Sequence, residues 1–180
     1  MKNYKIAIQG MILATALGAT TANAGIYVGL SYGQANVDDN TVAGPVKESG
    51  TGWKFSGGHD QLFSEIFGFD TGWVDLGDQN ERSATKAIDM ETEGFYFMGT
   101  ASHYFNKDVS VFAKGGVIFW DQDLRDTLTT RNDSNDGTDL AFGIGMQYGI
   151  NSVLQLRAEW ERYNTAIPVS MFNVGIALKF

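Results

Sequence analysis

From residue 25 onward, hydrophobic and polar residues alternate at a period of two, the spacing of strands whose two faces meet different surroundings. The cleanest run sets Leu140, Phe142, Ile144, Met146, Tyr148 and Ile150 against Ala141, Gly143, Gly145, Gln147 and Gly149. The final stretch repeats it, with Phe172, Val174, Ile176, Leu178 and Phe180 on one face and Met171, Asn173, Gly175, Ala177 and Lys179 on the other. Six more segments alternate in the same way, at 25–34, 51–58, 64–76, 93–104, 109–120 and 153–163, so the pattern predicts eight strands. Polar connections at 35–50, 77–91, 121–138 and 164–168 alternate with tight turns at 59–63, 105–108 and 151–152. Both prolines, Pro45 and Pro168, fall in connections, where no ladder hydrogen bond is lost.

An apolar strand at the extreme end of a chain needs a cover and a partner, because termini otherwise fray. A membrane on one side and the first strand on the other supply both, closing a barrel. Charge placement fixes the register, since Lys or Arg on the lipid face near the bilayer centre costs about 2–4 kcal/mol. With the apolar set outward, Lys54, Asp70, Lys114, Arg157 and Glu159 all point inward near the middle of their strands, and only Arg162 and His103 point outward, near strand ends. A slip of one residue would reverse this. Tyr32, Trp53, Trp73 and Trp160 then mark one rim and Tyr148 and Phe180 the other, as interfacial aromatic girdles do. The competing architecture is a soluble barrel of the lipocalin kind, with the apolar face enclosing a ligand.

The first 24 residues change the picture by giving an address. Lys2 and Lys5, an apolar stretch over 6–19 and Ala22-Asn23-Ala24 read as a secretory signal cleaved after Ala24, leaving 25–180 as one domain. Cleavage removes two lysines and takes the net charge from −8 to −10. Such acidity, with no basic cluster, excludes nucleic acid as a partner. The absence of cysteine excludes disulfides and thiolate metal sites. His59 and His103 are too few for a zinc centre or a triad, and no cofactor is expected. Asp133, Asn135, Gly137 and Asp139 have the spacing of a calcium loop, but Ile144 stands where the bidentate Glu belongs, so the segment reads as a solvated loop.

Gly72-Trp73-Val74-Asp75-Leu76-Gly77 resembles the run closing the third strand of OmpA-type barrels, and Leu156-Arg157-Ala158-Glu159-Trp160 resembles their seventh strand. The aromatic ending is similar to the signal read by the barrel-assembly machinery, which implies an assembly role for Phe172, Val174, Ile176, Leu178 and Phe180. The resemblance covers 25–180 and implies an all-β, eight-stranded antiparallel transmembrane up-and-down barrel in the outer membrane of a Gram-negative cell. It also implies that Asp70 and Arg157 form the pair that acts as a gate in such barrels, while the competing strand-four lysine is replaced by Thr100, with Lys54 or Lys114 as its candidate substitutes. The peptidoglycan-binding domain of full-length OmpA is not expected.

The function expected is therefore structural support plus display of acidic external loops to host or phage molecules, by a monomer set in outer-membrane lipid and lipopolysaccharide. A narrow, gated, porin-like pore through the charged lumen is the alternative. A lipid-modifying barrel enzyme is a third, disfavoured by the position of the two histidines.

Overall fold

In the computed structural model, which describes residues 25–39, 46–62, 64–83, 86–126 and 131–180, eight strands form one closed antiparallel barrel in sequential order. They are β1 (Ile26–Asp39), β2 (Val46–His59), β3 (Phe67–Ser83), β4 (Lys86–Tyr104), β5 (Val109–Asp126), β6 (Arg131–Gly149), β7 (Leu154–Tyr163) and β8 (Val169–Lys179). The signal segment 1–24 and Pro45 lie outside the described residues. The last strand closes on the first, with Leu30 opposite Ile176 and Val28 opposite Leu178, and the Phe180 N–H donates to the Ile26 carbonyl at 2.9 Å.

The alternation resolves as lipid face and lumen. Leu140 and Ile144 are 65% and 60% exposed on the outside, while Lys54, Asp70 and Asn173 are fully buried inside. An outer surface of exposed Leu, Ile, Val and Phe rules out the inside-out soluble barrel, whose apolar face would be enclosed. No helix among the described residues is long and apolar enough to cross a membrane, which leaves strands to do so.

The connections differ from expectation. The segments read as long acidic loops are mostly strand: β1 runs on to Asp39, β3 to Ser83, β5 to Asp126, and β6 starts at Arg131. Asn135, Gly137 and Asp139, taken for a solvated loop, are on β6, and the Asp139 carboxylate accepts a 2.8 Å hydrogen bond from Trp120 Nε1. The reason is that the alternation continues with acids on the outer face, while Ala35, Val37, Leu76, Ile118 and Trp120 keep filling the inside. Charge density hid a pattern that burial had preserved.

Three short turns join the other ends, and each is held by a local side chain. Ser64 Oγ accepts the N–H groups of Ile66 and Phe67, Asn106 Oδ1 those of Asp108 and Val109, and Asn151 Oδ1 those of Val153 and Leu154. The first of these spans 60–66, so β3 starts three residues later than the pattern suggested. One irregularity interrupts the ladders: between Asp75 and Asp78 the β3–β4 register shifts, and Gly77 takes φ +77°, a conformation that favours glycine.

Strand lengths are unequal in a way that shapes the molecule. The strands β3 to β6 have 17–19 residues, whereas β7 and β8 have 10 and 11. A tilted strand crosses the hydrocarbon in about 9–11 residues. So β7 and β8 end near the membrane surface while β3 to β6 stand about 15–20 Å beyond it, allowing about 3.3 Å per residue and the usual tilt.

Candidate functional site

Inward-facing residues in the middle of β2, β3, β5 and β7 converge on one buried cluster of charges. Lys54 Nζ lies 2.5 Å from Glu159 and 2.9 Å from Glu161. Lys114 Nζ lies 2.7 Å from Asp70, 2.5 Å from Glu159 and 2.7 Å from Glu161. The Arg157 Nε is 2.9 Å from Glu159, and the guanidinium packs 4.5 Å from the Tyr27 ring and 4.8 Å from the Phe112 ring. Tyr96 donates its hydroxyl to Asp70 at 3.2 Å, and Asn173 donates its amide to Glu161 at 2.7 Å. Three cations therefore face three carboxylates, and the cluster is neutral as a whole.

Close approach is possible because small residues face the crowded regions. A Cβ at Gly145 would strike the Phe112 ring that carries Arg157, and one at Gly72 would lie 2.9 Å from the Tyr96 hydroxyl. The inward Gly145 of β6 thus makes space for a neighbouring side chain, whereas the inward Gly68 and Gly72 of β3 let the backbone of His59 and Phe55 come close, at 2.0 and 2.1 Å from where a Cβ would stand.

The structure brings together all five charges singled out in the sequence, and it adds a closer partner to the Asp70–Arg157 pair that the resemblance implies. Asp70 is held by Lys114, while Arg157 stands 3.8 Å away and is bound more closely to Glu159. Lys114 is the register partner of Thr100, so the cation absent from strand four is supplied by the next strand, at the same level. Glu161 was not singled out, although it shares the inward parity of Arg157 and Glu159 and joins both lysines. That parity is the signal by which the sequence could have shown it.

Above the charges comes an apolar layer, topped in turn by the buried hydrogen bond from the Gln122 amide to the Thr92 hydroxyl. Val37, Val74, Leu76, Met98, Ile118, Trp120, Tyr163 and Met171 are at most 6% exposed and pack into a single cluster. Ile167, from the short β7–β8 connection, lies against it. Below the charges, Lys179 reaches Asp60 at 3.4 Å near the mouth where Gly25 meets Phe180. The barrel interior is thus filled in layers, an ion-pair layer beneath an apolar plug.

Outside, the raised part carries acids. Above the aromatic row of Trp73, Phe95 and Phe119, register partners on four neighbouring strands place Asp75, Glu93, Asp121 and Asp136 side by side, with Glu91 opposite Asp123 beyond them. No group of three or more potential metal ligands converges among the described residues. The residues Phe172, Val174, Ile176, Leu178 and Phe180 all face outward and are 45–57% exposed.

A family model described as outer membrane protein beta-barrel domain matches residues 7–180. Three solved structures share the architecture at low identity. The attachment invasion locus protein Ail of Yersinia pestis, crystallised in complex with the heparin analogue sucrose octasulfate, is 15% identical with a TM-score of 0.64, covering 88% of this chain and 99% of that one. Neisserial surface protein A is 12% identical with a TM-score of 0.64 and the same coverages. The N-terminal barrel of Pseudomonas aeruginosa OprF is 9% identical with a TM-score of 0.57, covering 88% of this chain and all of that one. No curated protein sequence matches this chain.

Proposed function

The chain belongs to the outer membrane protein beta-barrel domain family, and on that premise we propose that it is a non-enzymatic outer-membrane barrel that displays an acidic wall to basic segments of external proteins. The observation that carries this reading is the height of β3 to β6 relative to β7 and β8, with carboxylates on the outer face of the raised part. In the orientation proposed, the termini and the three short turns face the periplasm and the wall faces the exterior. The 1–24 segment would be the signal that directs export, and the terminal aromatic strand would be read during assembly by the barrel-assembly machinery. The barrel acts as a monomer and lends support to the membrane around it.

Two features of the wall describe its partner. Ladder pairing of β6 with β7 ends at Ala141, while its pairing with β5 continues to Arg131, so among the described residues the 131–139 edge of β6 has no strand beside it. An open edge accepts an extended segment by strand addition. The acids selected by parity favour a basic one and disfavour self-pairing. The sulfated ligand of the Ail complex would be repelled by this face.

The filled lumen argues for support rather than conduction, because ions would have to cross both a neutral ion-pair layer and an apolar layer. The test is binding of a synthetic Lys-Thr repeat peptide to the barrel in nanodiscs. We expect salt-sensitive binding that falls about tenfold or more when Asp121, Asp123 and Asp136 are changed together to Asn. Equal binding of the peptide and of a sulfated polysaccharide, unaffected by the triple change, would overturn the reading.

A further inference from the structure

We infer that the segment received by the open edge of β6 is amphipathic, with cations along its outer face and one large apolar side chain on its inner face, seated opposite Gly137. This deepens the reading of the wall given above and rests on it. The edge begins where β7 leaves the ladder: the Asn164 N–H still donates to the Leu140 carbonyl at 3.1 Å, and the chain then turns through Thr165, Ala166 and Ile167 toward β8. That bond fixes the phase of the edge. In an antiparallel ladder every second residue directs its N–H and C=O to the same neighbour, so beyond Leu140 the groups that face the open side belong to Thr138, Asp136 and Ser134. Asn135 has inward parity, yet it is exposed, as Ser134, Asp136 and Thr138 are. Among the described residues, both faces of the strand are therefore open at this height.

The inner face has one apolar place. Gly137 is the register partner of Trp120, and a Cβ at Gly137 would lie 2.7 Å from Cζ2 and 3.0 Å from Cε2 of that ring. The indole thus lies across the glycine, held by its 2.8 Å hydrogen bond to Asp139. Such cross-strand cover protects the backbone that a glycine leaves bare, and here it comes from β5 alone. With no Cβ between them, a side chain arriving on the other side of β6 meets the indole directly. The phase helps, because Gly137 turns its own hydrogen-bonding groups to β5 and so falls in the closer, non-hydrogen-bonded kind of pair with an added strand. Ile167, from the connection at the foot of the edge, packs against the apolar cluster that contains Trp120, Tyr163 and Val169.

The two faces ask for different chemistry. On the outer face Asp136 stands between Ser134 and Thr138 and favours a cation opposite it. On the inner face Asp139 and Asn135 flank Gly137, so one apolar residue is matched and its neighbours on that face are polar. A segment basic on both faces leaves Trp120 and Ile167 uncovered, and one apolar on both faces covers Asp136 without a partner. The far edge of the wall offers no equal place, because a Cβ on Gly77 would strike the Thr51 carbonyl and β2 closes against β3 there.

The test compares three peptides on the barrel in nanodiscs, with empty nanodiscs as the blank. They are a Lys-Thr repeat, the same repeat with one threonine replaced by tryptophan, and an isomer of the second in which that tryptophan changes places with a neighbouring lysine. We expect tryptophan at threonine parity to tighten binding about tenfold or more over both the plain repeat and the isomer. Methylating the backbone nitrogens of the lysines should abolish binding and methylating those of the threonines should not, because the lysines lie opposite Thr138, Asp136 and Ser134. Gly137→Ala, checked for folding by heat-dependent gel migration, should remove most of the gain from tryptophan, and Ile167→Asn, which leaves the β5–β6 ladder untouched, should remove part of it. Equal binding of the two tryptophan peptides would overturn the inference, and so would a gain that survives both substitutions or indifference to which nitrogens are methylated. Salt-sensitive binding of the plain repeat with no gain from tryptophan would overturn the amphipathic partner and leave the acidic wall standing; binding by none of the three would overturn both.

Discussion

Changing Lys114 to Met removes the one cation in the lumen that touches three carboxylates. Its ammonium lies 2.7 Å from Asp70, 2.5 Å from Glu159 and 2.7 Å from Glu161. At an effective dielectric of about 20, each contact is a gross attraction of about 6 kcal/mol, most of which offsets the desolvation of the buried groups. The net loss is set by what remains: Lys54 and Arg157 would face Asp70, Glu159 and Glu161, leaving one buried negative charge without a counterpart. An orphaned buried charge costs about 3–5 kcal/mol. Adding Glu161→Gln to Lys114→Met restores the balance at two against two, and should recover at least half of the loss, a coupling of about 2 kcal/mol. Urea unfolding in lipid vesicles, followed by tryptophan fluorescence with an unchanged m-value, measures both. The reasoning fails if Lys114→Met lies within about 1 kcal/mol of the parent, or if the double variant is as unstable as the sum of the two single ones.

Trp120→Phe keeps the ring but deletes the hydrogen bond to Asp139, and should destabilise the wall by about 1–2 kcal/mol in the same assay. Gly145→Val forces a Cβ to within 3.0 Å of the Ala158 carbonyl and into Phe112, so the folded yield from urea should collapse while Gly115→Ala, whose Cβ finds open space on the lipid face, folds normally. In planar bilayers the parent should show no steady conductance, because the apolar layer persists whatever the charges do; a steady current abolished by Asp70→Ala or Arg157→Ala would show that the lumen conducts. On intact cells, protease should cut within 127–130 and spare 105–108, and the reverse pattern would invert the orientation.

Period-two alternation carried the architecture because a strand between lipid and a filled lumen has no freedom in its parity. Leu140 to Ile150 and Phe172 to Phe180 could be read directly, and with them the inward set that includes Lys54 and Arg157. Strand ends were another matter. Once the outer face leaves lipid for water, its residues become polar, and the contrast between faces fades although the inner one still holds Val37, Leu76 and Ile118. The hydrophobic pattern therefore ends at the membrane surface, while the strand's hydrogen bonding runs on beyond it. The partner of each lumen charge was less legible still. Parity says which residues enter the barrel; strand stagger decides which of them meet, and Lys114 reaches Asp70 only because it stands beside Thr100 at that level.

The β4–β5 ladder runs without a bulge from Tyr104 opposite Ser110 to Ile88 opposite Asp126, and the β5–β6 ladder is as regular from Val109 opposite Tyr148 to Asp126 opposite Arg131. Such ladders are extensible. Two residues added to each strand at a hairpin tip preserve the parity of everything below, whereas one residue added within a strand turns the face of all that lies above it unless a bulge absorbs it, as between Asp75 and Asp78 of β3. The wall can therefore lengthen or shorten in steps of two during descent, at no cost to the ion pairs beneath. Variation in its reach should be inherited in even numbers.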